Sequence, residues 1–147
     1  MEFIRSYKIR FSHCDPAGIV FYPQYFVLLN DHVEDWFAEA LGCDFQTLHQ
    51  QRHLGVPTVH INCDFTGPSR LGETVDLALR ITRLGKASVT LAREIRMAGQ
   101  VRVRLTQVLT CLNMDTGKAT GWPADLEAAM TPFVAPVSDA TPPSSEP

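Results

Sequence analysis

The segment His13-Cys14-Asp15-Pro16-Ala17-Gly18-Ile19-Val20-Phe21-Tyr22-Pro23 gathers residue types that could do chemistry together. Asp15 is its only acid and stands among apolar neighbours. Pro16 and Gly18 favour a turn, and Gly18, lacking a Cβ, lets the backbone approach a ligand closely. A helix opening at Tyr22-Pro23 would present unpaired N–H groups, which favour developing negative charge. A carboxylate facing such donors could attack an acyl carbonyl or activate a water for that attack. The plainer reading of the same residues is an Asp that caps its own turn. His13 is open in the same way, between a site residue and a strand-end histidine.

These residues need elements to position them. Four stretches alternate apolar and polar residues with the period of a half-buried strand. Tyr7, Ile9 and Phe11 share one face of the first, and Val75, Leu77, Leu79 and Ile81 one face of the second. Val89, Leu91, Ile95 and Met97 mark the third; the fourth runs from Val101 to Leu112, with Val101, Val103 and Leu105 opposite Arg102, Arg104 and Thr106. A less regular fifth strand is expected over Thr58 to Phe65. Short turns at Leu84-Gly85-Lys86 and Ala98-Gly99-Gln100 suit antiparallel neighbours. From Pro23 to Leu41, Phe26, Leu29, Val33, Trp36, Phe37 and Ala40 recur at helical spacing, with Gly42 placed to end the helix. Such a helix would cover one face of the sheet. A short helix is expected from Pro123 to Met130.

The run from Asp15 to Pro23 resembles the signature of the 4-hydroxybenzoyl-CoA thioesterase family: Asp-Pro-Ala-Gly-Ile-Val, two aromatics, then Pro. The resemblance continues through Gly55-Val56-Pro57-Thr58 and the long strands to about Pro123. It implies an α+β hotdog fold, a long central helix wrapped by a five- to six-stranded antiparallel sheet. It also implies hydrolysis of an aromatic or other compact acyl-CoA. Asp15 would be the nucleophile or general base, Gly18 would shape the loop, and the Tyr22 backbone N–H would polarise the thioester carbonyl. Asn30 matches a position that is acidic in the family and contacts the substrate's phenolic hydroxyl; an amide can still hydrogen-bond but offers no full charge. Thr58 and His13 join it as substrate-binding candidates, Thr58 from a neighbouring chain; the plainer reading of Thr58 is a strand threonine paired with its neighbour. Arg83, Lys86 and Ser88 resemble the family's basic turn at the nucleotide end of coenzyme A. The resemblance further implies a homodimer or homotetramer with sites at subunit interfaces. Coenzyme A enters as part of the substrate, with no cofactor and no metal. The rival from another class is a hotdog module that binds acyl-CoA or acyl-carrier-protein thioesters without turnover.

The bulk properties fit this picture. The 147 residues suit one domain, expected over 1–132, with a flexible Pro/Ser-rich tail over 133–147. The net charge of −3 argues against an enzyme that grips nucleic acid. No apolar run reaches the ~20 residues of a membrane span, and the first residues lack a signal peptide's apolar stretch. Cys14, Cys43, Cys63 and Cys111 are scattered without metal or redox spacing, so free thiols in the cytoplasm are expected. His49 and His53 stand four apart, but the glutamate of a zinc-binding His-Glu-x-x-His is missing. Arg102 and Arg104 lack the interleaved aromatics of a nucleic-acid surface.

Overall fold

The computed structural model describes residues 1–136. Five strands form the main sheet: β1 (Phe3–Lys8), β3 (Thr58–Phe65), β4 (Thr74–Leu84), β5 (Ser88–Met97) and β6 (Gln100–Thr110). Their order is β1-β4-β5-β6-β3, antiparallel throughout. A smaller sheet joins β2 (Leu54–Gly55), β7 (Leu112–Asn113) and β8 (Lys118–Ala119). The stretch from Val101 to Leu112 is therefore broken near its end, and Leu112 pairs with Gly55 in the second sheet.

One face of the main sheet is covered by α1 (Tyr22–Glu39). Its buried stripe is Tyr25, Leu28, Leu29, His32, Val33, Trp36 and Phe37, the period-3.6 pattern of a helix lying on a core. Phe26 and Ala40 flank that stripe and are only partly buried. Gly42 adopts a left-handed φ of +69° just beyond the helix, where the chain turns back and the Cys43 N–H reaches the Phe37 carbonyl. On the sheet, Val75, Leu77, Leu79 and Ile81 face the helix with Val89, Leu91, Ile95, Val103, Leu105 and Leu109. Two polar residues keep the same phase: Arg93 between Leu91 and Ile95, and Gln107 between Leu105 and Leu109. Both are buried.

Two expectations are corrected. Phe11 does not extend the first strand; it sits in a 3-10 turn (Phe11–His13) with 83% of its surface exposed. The ladder stops because His13 Nδ1 accepts the Arg10 backbone N–H, while the His13 N–H closes back on the Arg10 carbonyl. At the other end, ordered packing passes residue 132. After α2 (Ala124–Met130), Phe133 is buried against Phe3 and Trp36, and the Ala135 N–H bonds the Ile81 carbonyl. Residues 137–147 of the expected tail lie outside the described residues.

Candidate active site

The loop between β1 and α1 is pinned at many points. Val20 N–H bonds the Ser69 carbonyl, Leu71 N–H the Gly18 carbonyl, and Phe21 N–H the His13 carbonyl. Within it Asp15 is half-buried and closes its own turn: Oδ1 accepts the Ala17 N–H at 2.9 Å, and the backbone carbonyl accepts from Gly18. The capping role therefore occupies one carboxylate oxygen. Among the described residues, Oδ2 takes no protein donor. Gly18 holds φ +78° with open space where a Cβ would stand.

The chain enters α1 at Tyr22, one residue before Pro23. Pro23 has no N–H to offer, and the Gln24 N–H is taken by the Phe21 carbonyl at 2.8 Å. The Tyr22 N–H, at the first helical position, has no partner inside the helix. A half-buried carboxylate and a helix-start donor unpaired among the described residues thus share one hydrogen-bonded loop. His13 stands on the same loop, its Nδ1 accepting the Arg10 backbone N–H.

A second set of residues meets further along α1. A cleft of about 570 Å³ is lined by Asn30 and Glu34 of the helix, by Thr58 and Gln107 of the sheet, and by apolar groups including Val33, Phe45, Val56, Leu109 and Met114. That size suits a compact ring system with a few polar contacts. Asn30 and Thr58, far apart in sequence, are brought together here. Thr58 reaches the cleft through an irregularity: the β3–β6 register shifts between Thr58 and His60, which turns Thr58 onto the helix face opposite Leu109. His49 also lines the cleft, and its Nδ1 lies 2.7 Å from the Phe45 carbonyl. A carbonyl can only accept, so Nδ1 carries the proton. His53 turns instead to Asp115, 3.4 Å away, so the two histidines do not converge. Asp31, next to Asn30, lies outside the cleft, on the flank where Tyr7 donates to Asp35. Burial, then the Asp35 charge, raises the Asp31 carboxyl above its usual range.

Behind the cleft is a polar cluster that the strand periodicities did not single out. Arg93 Nη1 donates to Gln107 Oε1 at 2.9 Å, and Nη2 contacts the Leu29 carbonyl at 2.9 Å and His32 Nδ1 at 2.8 Å. Gln107 Nε2 donates to Thr58 Oγ1 at 2.9 Å. Burial drives His32 down to about 3, with the Arg93 charge second, so its ring is neutral and accepts from Arg93. Burial also lowers the Arg93 guanidinium, to about 9, which leaves it charged at neutral pH. The sequence signal was available: a polar residue interrupting an inward apolar series in each of two paired strands.

The basic turn stands apart. Arg83 and Lys86 are exposed, and Ser88 is half-buried, its carbonyl accepting the Trp122 indole N–H. The Asp15 loop lies at the Thr74 end of β4, where Ile9 N–H bonds the Glu73 carbonyl; the basic turn lies at the Leu84 end. Eleven residues of strand separate them, roughly 35 Å. Thr58 and Tyr22 are separated too. Phe65, at the far end of β3 from Thr58, packs against Tyr22, Tyr25 and Phe26 at ring separations of 6.1, 5.9 and 6.3 Å. The eight residues of β3 span roughly 25 Å. One chain therefore does not close the whole set of candidates into a single site.

Comparison with known proteins adds a family context. A family model described as the thioesterase-like superfamily matches residues 9–130. A 1,4-dihydroxy-2-naphthoyl-CoA hydrolase from Synechococcus elongatus is 25% identical over 120 residues, covering 81% of this chain and 88% of its own. Among solved structures, a 1,4-dihydroxy-2-naphthoyl-CoA thioesterase from Synechocystis superposes with a TM-score of 0.82 at 21% identity, covering 92% of this chain and all of the other. A gentisyl-coenzyme A thioesterase superposes with a TM-score of 0.77 at 23% identity, over 88% of this chain and 99% of the other.

Proposed function

The chain belongs to the thioesterase-like superfamily and is a thioester hydrolase, and from that premise we propose that it cleaves aryl-coenzyme A thioesters with Asp15 as its catalytic carboxylate. The observation that carries this reading is the shared loop, where Asp15 Oδ2 and the Tyr22 N–H are both left without partners among the described residues. The thioester carbonyl oxygen accepts from Tyr22 N–H, whose position at the start of α1 favours the negative charge that develops there. Asp15 either adds to the carbonyl carbon, giving an anhydride that water then cleaves to the free acid and the restored carboxylate, or takes a proton from the water that adds. Expulsion of the coenzyme A thiolate needs little protonation, so one carboxylate suffices for the chemistry. Coenzyme A enters as part of the substrate, and Arg83, Lys86 and Ser88 are the candidates for holding its nucleotide end.

The aryl group belongs in the cleft beside Asn30 and Thr58. That assignment calls for a second copy of the chain. β3 is an edge strand with Val59, Ile61 and Phe65 exposed at 60%, 40% and 48%. Pairing two β3 strands antiparallel about a two-fold axis places the Thr58 end of one beside the Phe65 end of the other. The cleft of one copy then approaches the Asp15 loop of its partner, across a distance that a single chain leaves open. Edge pairing also covers the parts of these apolar side chains that stand exposed in the single chain. For the described residues, no helix is long and apolar enough to cross a membrane.

Thiol release from a panel of aryl- and alkyl-CoA thioesters tests the assignment, comparing the protein with Asp15→Asn. The substitution should lower kcat/KM by at least ~10²-fold with the melting transition retained. Equal release by the two proteins rejects Asp15. No release from any member of the panel rejects the hydrolase reading.

A further inference from the structure

The cleft has a polar wall whose hydrogen-bond direction is set from inside the core. A guanidinium only donates, so the Gln107 atom 2.9 Å from Arg93 Nη1 must be the amide oxygen. The amide nitrogen then faces Thr58 and donates to Oγ1, 2.9 Å away. A hydroxyl has one hydrogen, and Gln107 Nε2 cannot accept it. Among the described residues no other protein acceptor takes it either, and Thr58 lines the cleft.

We propose that Arg93 and Gln107 are positioning residues that turn the Thr58 hydroxyl hydrogen into the cleft, so that the site selects acyl groups carrying an oxygen acceptor on the ring. The proposal rests on the cleft being the acyl site. Arg93 is an expensive residue for its place. It lies in phase with Leu91 and Ile95, is 1% exposed, and among the described residues hydrogen-bonds only neutral partners: an amide, a carbonyl and a neutral imidazole. An apolar side chain would pack there at lower cost. Among the described residues the Arg93 Nε is buried without a hydrogen-bond partner, so the cluster is not assembled to satisfy its own polar atoms. A cation at the inner end of a donor chain does, however, polarise each bond outward, and it strengthens Thr58 as a donor to a ring oxygen, most of all an ionised one. Asn30 and Glu34, on the helix wall of the same cleft, offer acceptors for the hydrogen of a neutral phenol.

Gln107→Glu separates this polarity from mere packing. The carboxylate has the shape of the amide and still accepts from Arg93, but its second oxygen takes the Thr58 hydrogen and turns it away from the cleft. Thr58→Val removes the hydroxyl at nearly constant volume. The probes are four non-hydrolysable thioethers, S-phenacyl-CoA and the three S-(hydroxyphenacyl)-CoA isomers with the hydroxyl at ring position 2, 3 or 4, measured by titration calorimetry. The protein should bind its best hydroxy isomer about tenfold more tightly than S-phenacyl-CoA. In Gln107→Glu, in Thr58→Val and in the double variant alike, that ratio should fall to about one. The proposal is overturned if the protein shows no preference, if Gln107→Glu keeps it, or if the variants weaken both probes by the same factor. Because the thioethers report binding alone, a preserved preference without thiol release from any thioester removes the hydrolase reading and leaves this one standing. Thiol release without preference does the reverse. Failure to bind either probe overturns the cleft as the acyl site, and this proposal with it.

Discussion

Substituting His32 tests whether the buried cluster holds a neutral imidazole. The ring is fully buried, stacked on Phe3 at 5.1 Å, and held at about 3 against an ordinary value of 6.5, by burial first and the Arg93 charge second. A group whose folded value is lowered takes up its proton first in the unfolded chain. Between pH 6.5 and about 3, acid therefore pulls the equilibrium toward unfolding. At 1.36 kcal/mol per pH unit the gap corresponds to about 5 kcal/mol, reached in full only below pH 3. By pH 5 the loss relative to pH 7 is about 2 kcal/mol. His32→Asn keeps an acceptor near the Nδ1 position for Arg93 but cannot titrate. Urea unfolding followed by the fluorescence of the buried Trp36 and Trp122, at fixed protein concentration, gives the stability of each protein at pH 7 and pH 5. The difference between the two proteins should shrink by about 2 kcal/mol on going from pH 7 to pH 5. The other titrating groups are common to both proteins and cancel. Glu73, Glu94 and Asp125, each held below its usual range, act mainly at more acid pH. A difference that is the same at both pH values refutes the neutral, acid-resistant histidine and the cluster geometry built on it.

Further outcomes follow from single positions. Gly42→Ala should destabilise the fold by about 1 kcal/mol in the same urea assay, through the left-handed φ of +69° alone, since no atom lies within 4 Å of the added Cβ. Ile61→Asp places a charge on the exposed edge of β3; if two copies pair there, light scattering should show a shift to monomer, with hydrolysis falling at least ~10-fold. A variant that keeps both its assembly and its rate would reject the edge-strand pairing.

The Asp15 loop was legible because everything that defines it is contiguous: the turn-forming Pro16 and Gly18, the carboxylate, and a helix opening at Tyr22-Pro23. The long strands and α1 were legible for a related reason, since burial on one face imposes a period that one segment displays by itself. What failed to show depended on partners elsewhere. Phe11 has the right phase for β1, but His13 captures the Arg10 N–H and ends the ladder before it. Phe133 follows a Pro and precedes a Pro-rich run, yet a pocket between Phe3 and Trp36 buries it. Thr58 reaches the helix face only through a register shift, which leaves no mark in the alternation of β3.

Arg93 and Gln107 show why the selectivity of such a site is harder to read than its chemistry. Each breaks an inward apolar series once, and seen singly each resembles an outward residue slipped out of phase. Their meaning lies in the pairing of β5 with β6, and of β6 with β3 through Thr58. Bond-making groups can be packed into one loop, because a reacting carbonyl is small and its needs are local. Recognition of a ring oxygen some distance from that carbonyl requires groups set across the sheet, oriented from the side that solvent cannot reach. A donor held by surface residues would trade partners with water, whereas one aligned by a buried guanidinium keeps its direction before the ligand arrives. The Nε of Arg93, buried without a partner among the described residues, is then the cost of fixing that direction from within the core.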